Sequence, residues 1–249
     1  MTARMNIRSL PRLFAVSLVW ASACITRAET PLPMLAAAEE LLREVAPGQS
    51  TYKHQEPEVR WSADPANPAY CHTDCSGLLI ALLEHCNPQQ FDDAAFKRWL
   101  DSHRPTARRF CDAIVAGKGF IQIIRIGDAR PGDVIAVKYQ PGSENTGHAM
   151  LIAEVPRRLE PPKPPLVEGT GQWQVTVIDE SSSGHGPTDT RREADGKFRG
   201  GLGRGVIRLY ARPDGTIAGY AWSTFANSKY YGDEDRAFAI GRLDPNFKP

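Results

Sequence analysis

The sequence predicts an α+β protein on three observations. Helical apolar spacing is confined to the first half, β-like segments fill residues 120–242, and Asp214-Gly215 between two of those segments signals an antiparallel hairpin. Residues 33–45 place Met34, Leu35, Ala38, Leu41, Leu42 and Val45 on one face, and Pro47-Gly48 stops that helix. Residues 49–70 are polar and proline-containing and read as a loop forming one wall of a cleft. Asp74 is a good N-cap for the next helix, whose apolar positions Leu78, Leu79, Leu82, Leu83 and Cys86 recur at helical spacing until Asn87-Pro88. Residues 91–100 and 106–115 read as two further short helices, with Gly117 and Gly119 as the break. Strands are expected at 120–126, 134–139, 148–155, 173–179, 205–211, 216–222 and 237–242. The Gly/Ser/Arg-rich stretch 181–203 has no period and reads as a mobile loop.

At 249 residues and 41% hydrophobic content the chain can bury a substantial core, and it needs no more than one domain plus extensions. Arg4, Arg8 and Arg12 precede the apolar run 13–23, which Thr26-Arg27-Ala28 follows; this is the pattern of a secretory signal peptide cleaved after Ala28. The run is too short for a stable membrane anchor, so a periplasmic or secreted protein is expected. A second reading takes Ala21-Ser22-Ala23-Cys24 as a lipoprotein box with a lipidated Cys24. Without residues 1–28 the chain carries 26 basic and 29 acidic residues, so no basic face for nucleic acid is implied.

An exported chain meets an oxidising compartment, and four cysteines remain after Ala28: Cys71, Cys75, Cys86 and Cys111. Cys75 and Cys86, on one helix, are roughly 16 Å apart and cannot bond. Pairing of Cys86 with Cys111 as a staple, and closure of a small loop from Cys71 to Cys75, both stay open.

Cys75 falls in the first turn of its helix, where unpaired backbone N–H groups and the positive end of the helix dipole lower a thiol pKa and can hold a developing oxyanion. That position argues for an exposed thiolate, alkylated fast by iodoacetamide near neutral pH. A nucleophilic thiol needs a base, and His148 opens an apolar strand. The next strand ends in Asp179-Glu180. A hairpin turning about residue 164 sets the start of one strand against the end of the other, with His148 opposite Asp179 or Glu180.

Asp74-Cys75-Ser76-Gly77, then Arg130-Pro131-Gly132-Asp133-Val134-Ile135, then Gly147-His148 opening a strand resemble the ordered motifs of the NlpC/P60 superfamily of papain-like cysteine peptidases, over roughly residues 50–185. The resemblance implies a papain-like fold with the nucleophile at the N-terminus of a central helix, Cys75 as nucleophile, His148 as base and Asp179 as the orienting residue. It also implies a peptidoglycan stem peptide as substrate and no cofactor. Tyr52 resembles an upstream tyrosine that lines such sites; Lys53-His54 stand where paired glycines are expected, and the third position is more often histidine. Glu180 and His185 remain alternatives to Asp179. Tyr52, Asp74, Ser76 and His185 complete the candidate cleft, with residues 49–249 as the catalytic part and 29–48 as an N-terminal helix. A zinc reading of Cys71, His72, Cys75, His85 and Cys86 fails on helix geometry, since His85 lies about 15 Å along the axis from Cys75. Asp133 reads as a turn former, and Trp222, Tyr220, Tyr230 and Tyr231 as core.

Overall fold

The run Cys-Ser-Gly-Leu-Leu-Ile-Ala-Leu-Leu has no polar face, and a helix apolar all round must be enclosed. In the computed structural model, helix α2 (Cys75–Cys86) is accordingly central, with all nine of these residues buried. The structure describes residues 33–249 except 63, 65 and 144; the expectations of a signal peptide and of a lipidated Cys24 lie outside the described residues. Helix α1 (Pro33–Glu44) buries Met34, Leu35, Ala38 and Leu41 in the same apolar cluster as α2. Two amphipathic helices, α3 (Asp93–Leu100) and α4 (Ala107–Val115), add Phe96, Trp99, Phe110 and Ile114 to it.

This helical layer covers one face of a large antiparallel sheet. Its strands run β11 (Tyr230–Gly232), β10 (Ile217–Ala221), β9 (Gly201–Ala211), β8 (Gly171–Ser181), β6 (Gly147–Ile152), β5 (Val134–Lys138), β12 (Ala237–Leu243) and β4 (Phe120–Ile123); β7 (Arg157–Arg158) pairs with β8 off that path. The alternation of strand side chains divides the core. Ala149, Leu151 and Ile178 face the helices, while Met150, Ile152, Val177, Ile207 and Leu209 pack on the other side around Tyr220. The sheet curls toward closure about that second cluster: Arg125, just past β4, bridges Thr216, just before β10, and the Tyr220 and Phe238 rings lie 5.6 Å apart. Asp133 is the expected turn former, accepting the Arg130 N–H at 2.8 Å.

The fold is α+β, as predicted. Three features depart from the sequence expectation. Residues 49–70 are not all loop, because β1 (Ser50–Tyr52) and β2 (Glu58–Arg60) flank β3 (Tyr70–Thr73) in a small separate sheet. Strand β9 starts at Gly201, inside the stretch expected to be mobile. There Gly203 stands opposite Asp179 and Gly205 opposite Val177. Their bareness is required: a Cβ at Gly203 would overlap the Arg191 side chain, and one at Gly205 would overlap the Asp189 carboxylate and come within 2.7 Å of the His185 Cβ. Residues 185–191 thus lie directly on strand backbone. The third departure is that Cys71, Cys75, Cys86 and Cys111 are all free, so neither proposed pairing is present.

Candidate functional site

Asp74 begins the site by ending β3 and capping α2. Its Oδ1 accepts the Gly77 N–H at 2.8 Å and the Ser76 hydroxyl at 3.0 Å, and its Oδ2 takes Arg104 at 2.6 Å and His54 at 3.1 Å. Burial alone would raise this carboxyl, but the Gly77 N–H, Arg104, Ser76 and His54 together hold it below the usual carboxylate range. Asp74 and Ser76 are therefore occupied in fixing the helix start.

The thiol that follows is at the expected helix terminus but is not exposed. Cys75 is 5% accessible, and burial, aided by the charge of Asp74, pushes its thiol up to about 12 despite N–H groups of Ala149 and Ser76 aimed at the sulfur. The expectation of a resting thiolate is overturned: desolvation outweighs the helix dipole where a whole helix is enclosed. Iodoacetamide at pH 7 is accordingly expected to label Cys75 no faster than the half-buried Cys86, measured by peptide mass after timed quenching; rapid stoichiometric labelling would contradict this. Tyr52 stands beside the thiol, its phenol raised by burial and then by Cys75 and Asp74.

His148 is the second residue of β6, one residue before the Ala149 N–H that meets the sulfur. The expected facing of His148 with Asp179 or Glu180 is shifted. Pairing of Leu151 with Ile178 and of Ile152 with Val177 carries Met150 opposite Asp179, so His148 is the diagonal neighbour of Asp179 on the same face. The long side chains close that diagonal, with Nε2 of His148 donating to Oδ2 of Asp179 at 2.6 Å. Nδ1 has no hydrogen bond among the described residues, and no hydrogen bond there joins His148 to Cys75. Burial, joined by the positive charges of His185 and Arg191, lowers the His148 pKa against the raising effect of Asp179, so the neutral imidazole is favoured in the resting site.

Strand alternation sends Glu180 to the other face, where its Oε1 accepts the Ser50 hydroxyl at 3.0 Å beside Cys71. It does not touch His148. Burial raises the Glu180 carboxyl to about 8, against hydrogen bonds from Cys71 and Ser50. The native protein therefore holds a proton that the unfolded chain releases above about 4.5, a contribution to stability present below that pH and lost as pH rises through 8. Glu180→Gln is expected to remove most of this loss. Between pH 5 and pH 9 its Tm should fall less than that of the parent, by on the order of 10 °C.

His185 is where the sequence reading fails most. The mobile loop expected over 181–203 is contradicted here, since His185 is fully buried and wired at three points. Its Nε2 lies 2.8 Å from Asp179 Oδ2, its Nδ1 2.9 Å from the Trp222 carbonyl oxygen, and its backbone N–H donates to Asp189 at 2.7 Å. Trp222, expected as plain core, covers both imidazoles, its ring centroid 4.7 Å from that of His148 and 4.5 Å from that of His185. Arg191 completes the set, 3.0 Å from Asp179 Oδ1 and paired through Nε and Nη2 with both oxygens of Asp189. Arg191 and Asp189 were not legible as site residues; their signal was the cluster His185, Asp189 and Arg191 inside an otherwise small and flexible composition. His148, Asp179 and His185 also bring three ligand-type atoms within 4.8 Å of one another. A cation there would share its carboxylate with the fixed Arg191 guanidinium, which already neutralises it.

The fold and site define an α+β protein with a helix-terminal thiol beside a buried His-Asp pair. No family model matches the chain, and no solved structure matches it. It is 35% identical over 205 residues, covering 79% of this chain and 89% of the relative, to the uncharacterized protein R653 of Acanthamoeba polyphaga mimivirus. The chain belongs to one family with that viral protein. Among the described residues no helix is long and apolar enough to cross a membrane.

Proposed function

We propose that this chain is an exported cysteine hydrolase of the NlpC/P60 type, cleaving an amide bond in the stem peptides of bacterial peptidoglycan. The observation that carries the reading is the 2.6 Å bond from His148 to Asp179, made in a buried site whose neighbouring strand residue, Ala149, meets the sulfur of Cys75. Asp179 holds Nε2–H and leaves the Nδ1 lone pair free to accept the thiol proton. Since the resting thiol and imidazole are both uncharged, that proton moves as the sulfur attacks the carbonyl rather than before. The oxyanion then meets N–H groups at the start of α2 other than those of Gly77 and Leu78, which the Asp74 carboxylate and carbonyl have taken. His148 returns the proton to the departing amine, leaving a thioester. It next takes a proton from water, whose oxygen attacks the thioester; the C–S bond breaks, the acid leaves, and His148 returns the proton to the sulfur to restore the thiol.

An N-acyl amidase on the same polymer would use the same steps, and a noncatalytic wall-binding module would use none of them. Incubating the mature protein with purified peptidoglycan and weighing the soluble fragments separates the three. New amine and carboxyl ends within the stem support the peptidase, release of whole stems the amidase, and binding without cleavage sinks the hydrolase.

A further inference from the structure

Asp179 carries more than an orienting residue needs. One oxygen accepts from two imidazoles, His148 at 2.6 Å and His185 at 2.8 Å, and the other faces Arg191 at 3.0 Å. His185 in turn faces acceptors on both sides, Asp179 and the Trp222 carbonyl, so two hydrogen bonds form only if both ring nitrogens bear protons. The charges then close. Asp179 and Asp189 are two buried anions, Arg191 and a doubly protonated His185 are two buried cations, and the four form a neutral group, which an enclosed site favours. The bare backbone of Gly203 and Gly205 seats the same residues.

We propose that residues 185–191 form a charge-balanced clamp on Asp179, in which His185 donates from both ring nitrogens and acts as a positioning residue that fixes His148 and restrains its protonation. The bearing on catalysis rests on the reading of His148 as the base; the hydrogen bonding does not. The groups facing His185 are Asp179 from β8, the Trp222 carbonyl and ring after β10, the His148 ring from β6 at 6.3 Å, and Asp189 and Arg191 from its own segment. The cations His185 and Arg191 both oppose a positive charge on His148, in line with its lowered pKa.

The test is nitrogen-15 NMR of the ring nitrogens of the six histidines in the full mature protein, assigned with single His variants. At neutral pH His185 is expected to show two protonated nitrogens and His148 one. In His185→Gln, whose amide keeps one donor for Asp179 but no charge, the titration midpoint of His148 should rise by about one pH unit. If peptidoglycan is a substrate, the acid limb of kcat/KM should move with it. His185→Ala should lower kcat by roughly 10-fold or more, with His185→Gln recovering most of that loss but keeping the displaced limb. A merely structural histidine would not move the limb. A neutral single tautomer at His185 in the parent protein overturns the proposal even if His185→Gln fails to fold, as does an unmoved His148 midpoint in a folded variant. Addition of Zn2+ that shifts the His148 and His185 nitrogens together would also overturn it, making the cluster a metal site. Absence of peptidoglycan cleavage with these spectra intact would sink the hydrolase and leave the clamp standing.

Discussion

Cys75→Ala is expected to release no fragments from peptidoglycan while keeping the parent fold, a loss of at least about 10³-fold in turnover. The fold should tolerate the change because the sulfur borders only a small apolar void, between Leu78, Leu79 and Leu82 of α2 and Ala149, Leu151 and Ile178 of the sheet. Cys75→Ser should be nearly as inactive. A neutral His148 takes the proton during attack, and a hydroxyl gives it up far less readily than even a raised thiol. Circular dichroism and Tm establish folding before the fragments are weighed. Cleavage retained by a folded Cys75→Ala protein would end the mechanism.

Asp179→Asn should cost both activity and stability. As the partner of a base, its replacement lowers turnover by at least about 10-fold, up to the roughly 10⁴ known for triad acids. As the hub of a buried network it matters further: Arg191 and His185 would keep their charges against a neutral amide, and breaking such a pair costs about 3–5 kcal/mol. For a domain of this size that is roughly 6–20 °C in Tm. Turnover and melting near parental values would mean that Asp179 neither orients His148 nor anchors residues 185–191.

What was legible in the sequence followed from periodicity. The four helices and the longer strands announced themselves through apolar spacing of 3.6 or 2, and Cys75, His148 and Asp179 through the chemistry expected at helix and strand ends. Strands β1 and β2 were lost because three residues each, partly exposed and near prolines, carry no period, and β3 because its alternation of Cys71 and Thr73 inward runs for only four residues. The start of β9 was lost because Gly201, Gly203 and Gly205 occupy the inward positions where apolar side chains would have shown alternation. The burial of Cys75 is readable in the same sequence: a helix with no polar face has no exposed first turn. The register between β6 and β8 was missed because the long connection after β6 pairs partly through β7, so its midpoint does not fix which residues face.

The glycines of β9 have a consequence for how this protein fails. Gly203→Ala and Gly205→Ala replace residues that contribute no functional group and contact no reacting atom, yet each added methyl group lands on Arg191, or on Asp189 and His185. A search for inactive variants would therefore return hits on a strand position with no side chain at all. Such hits would look like folding defects, whereas their primary lesion is a displaced carboxylate one strand away.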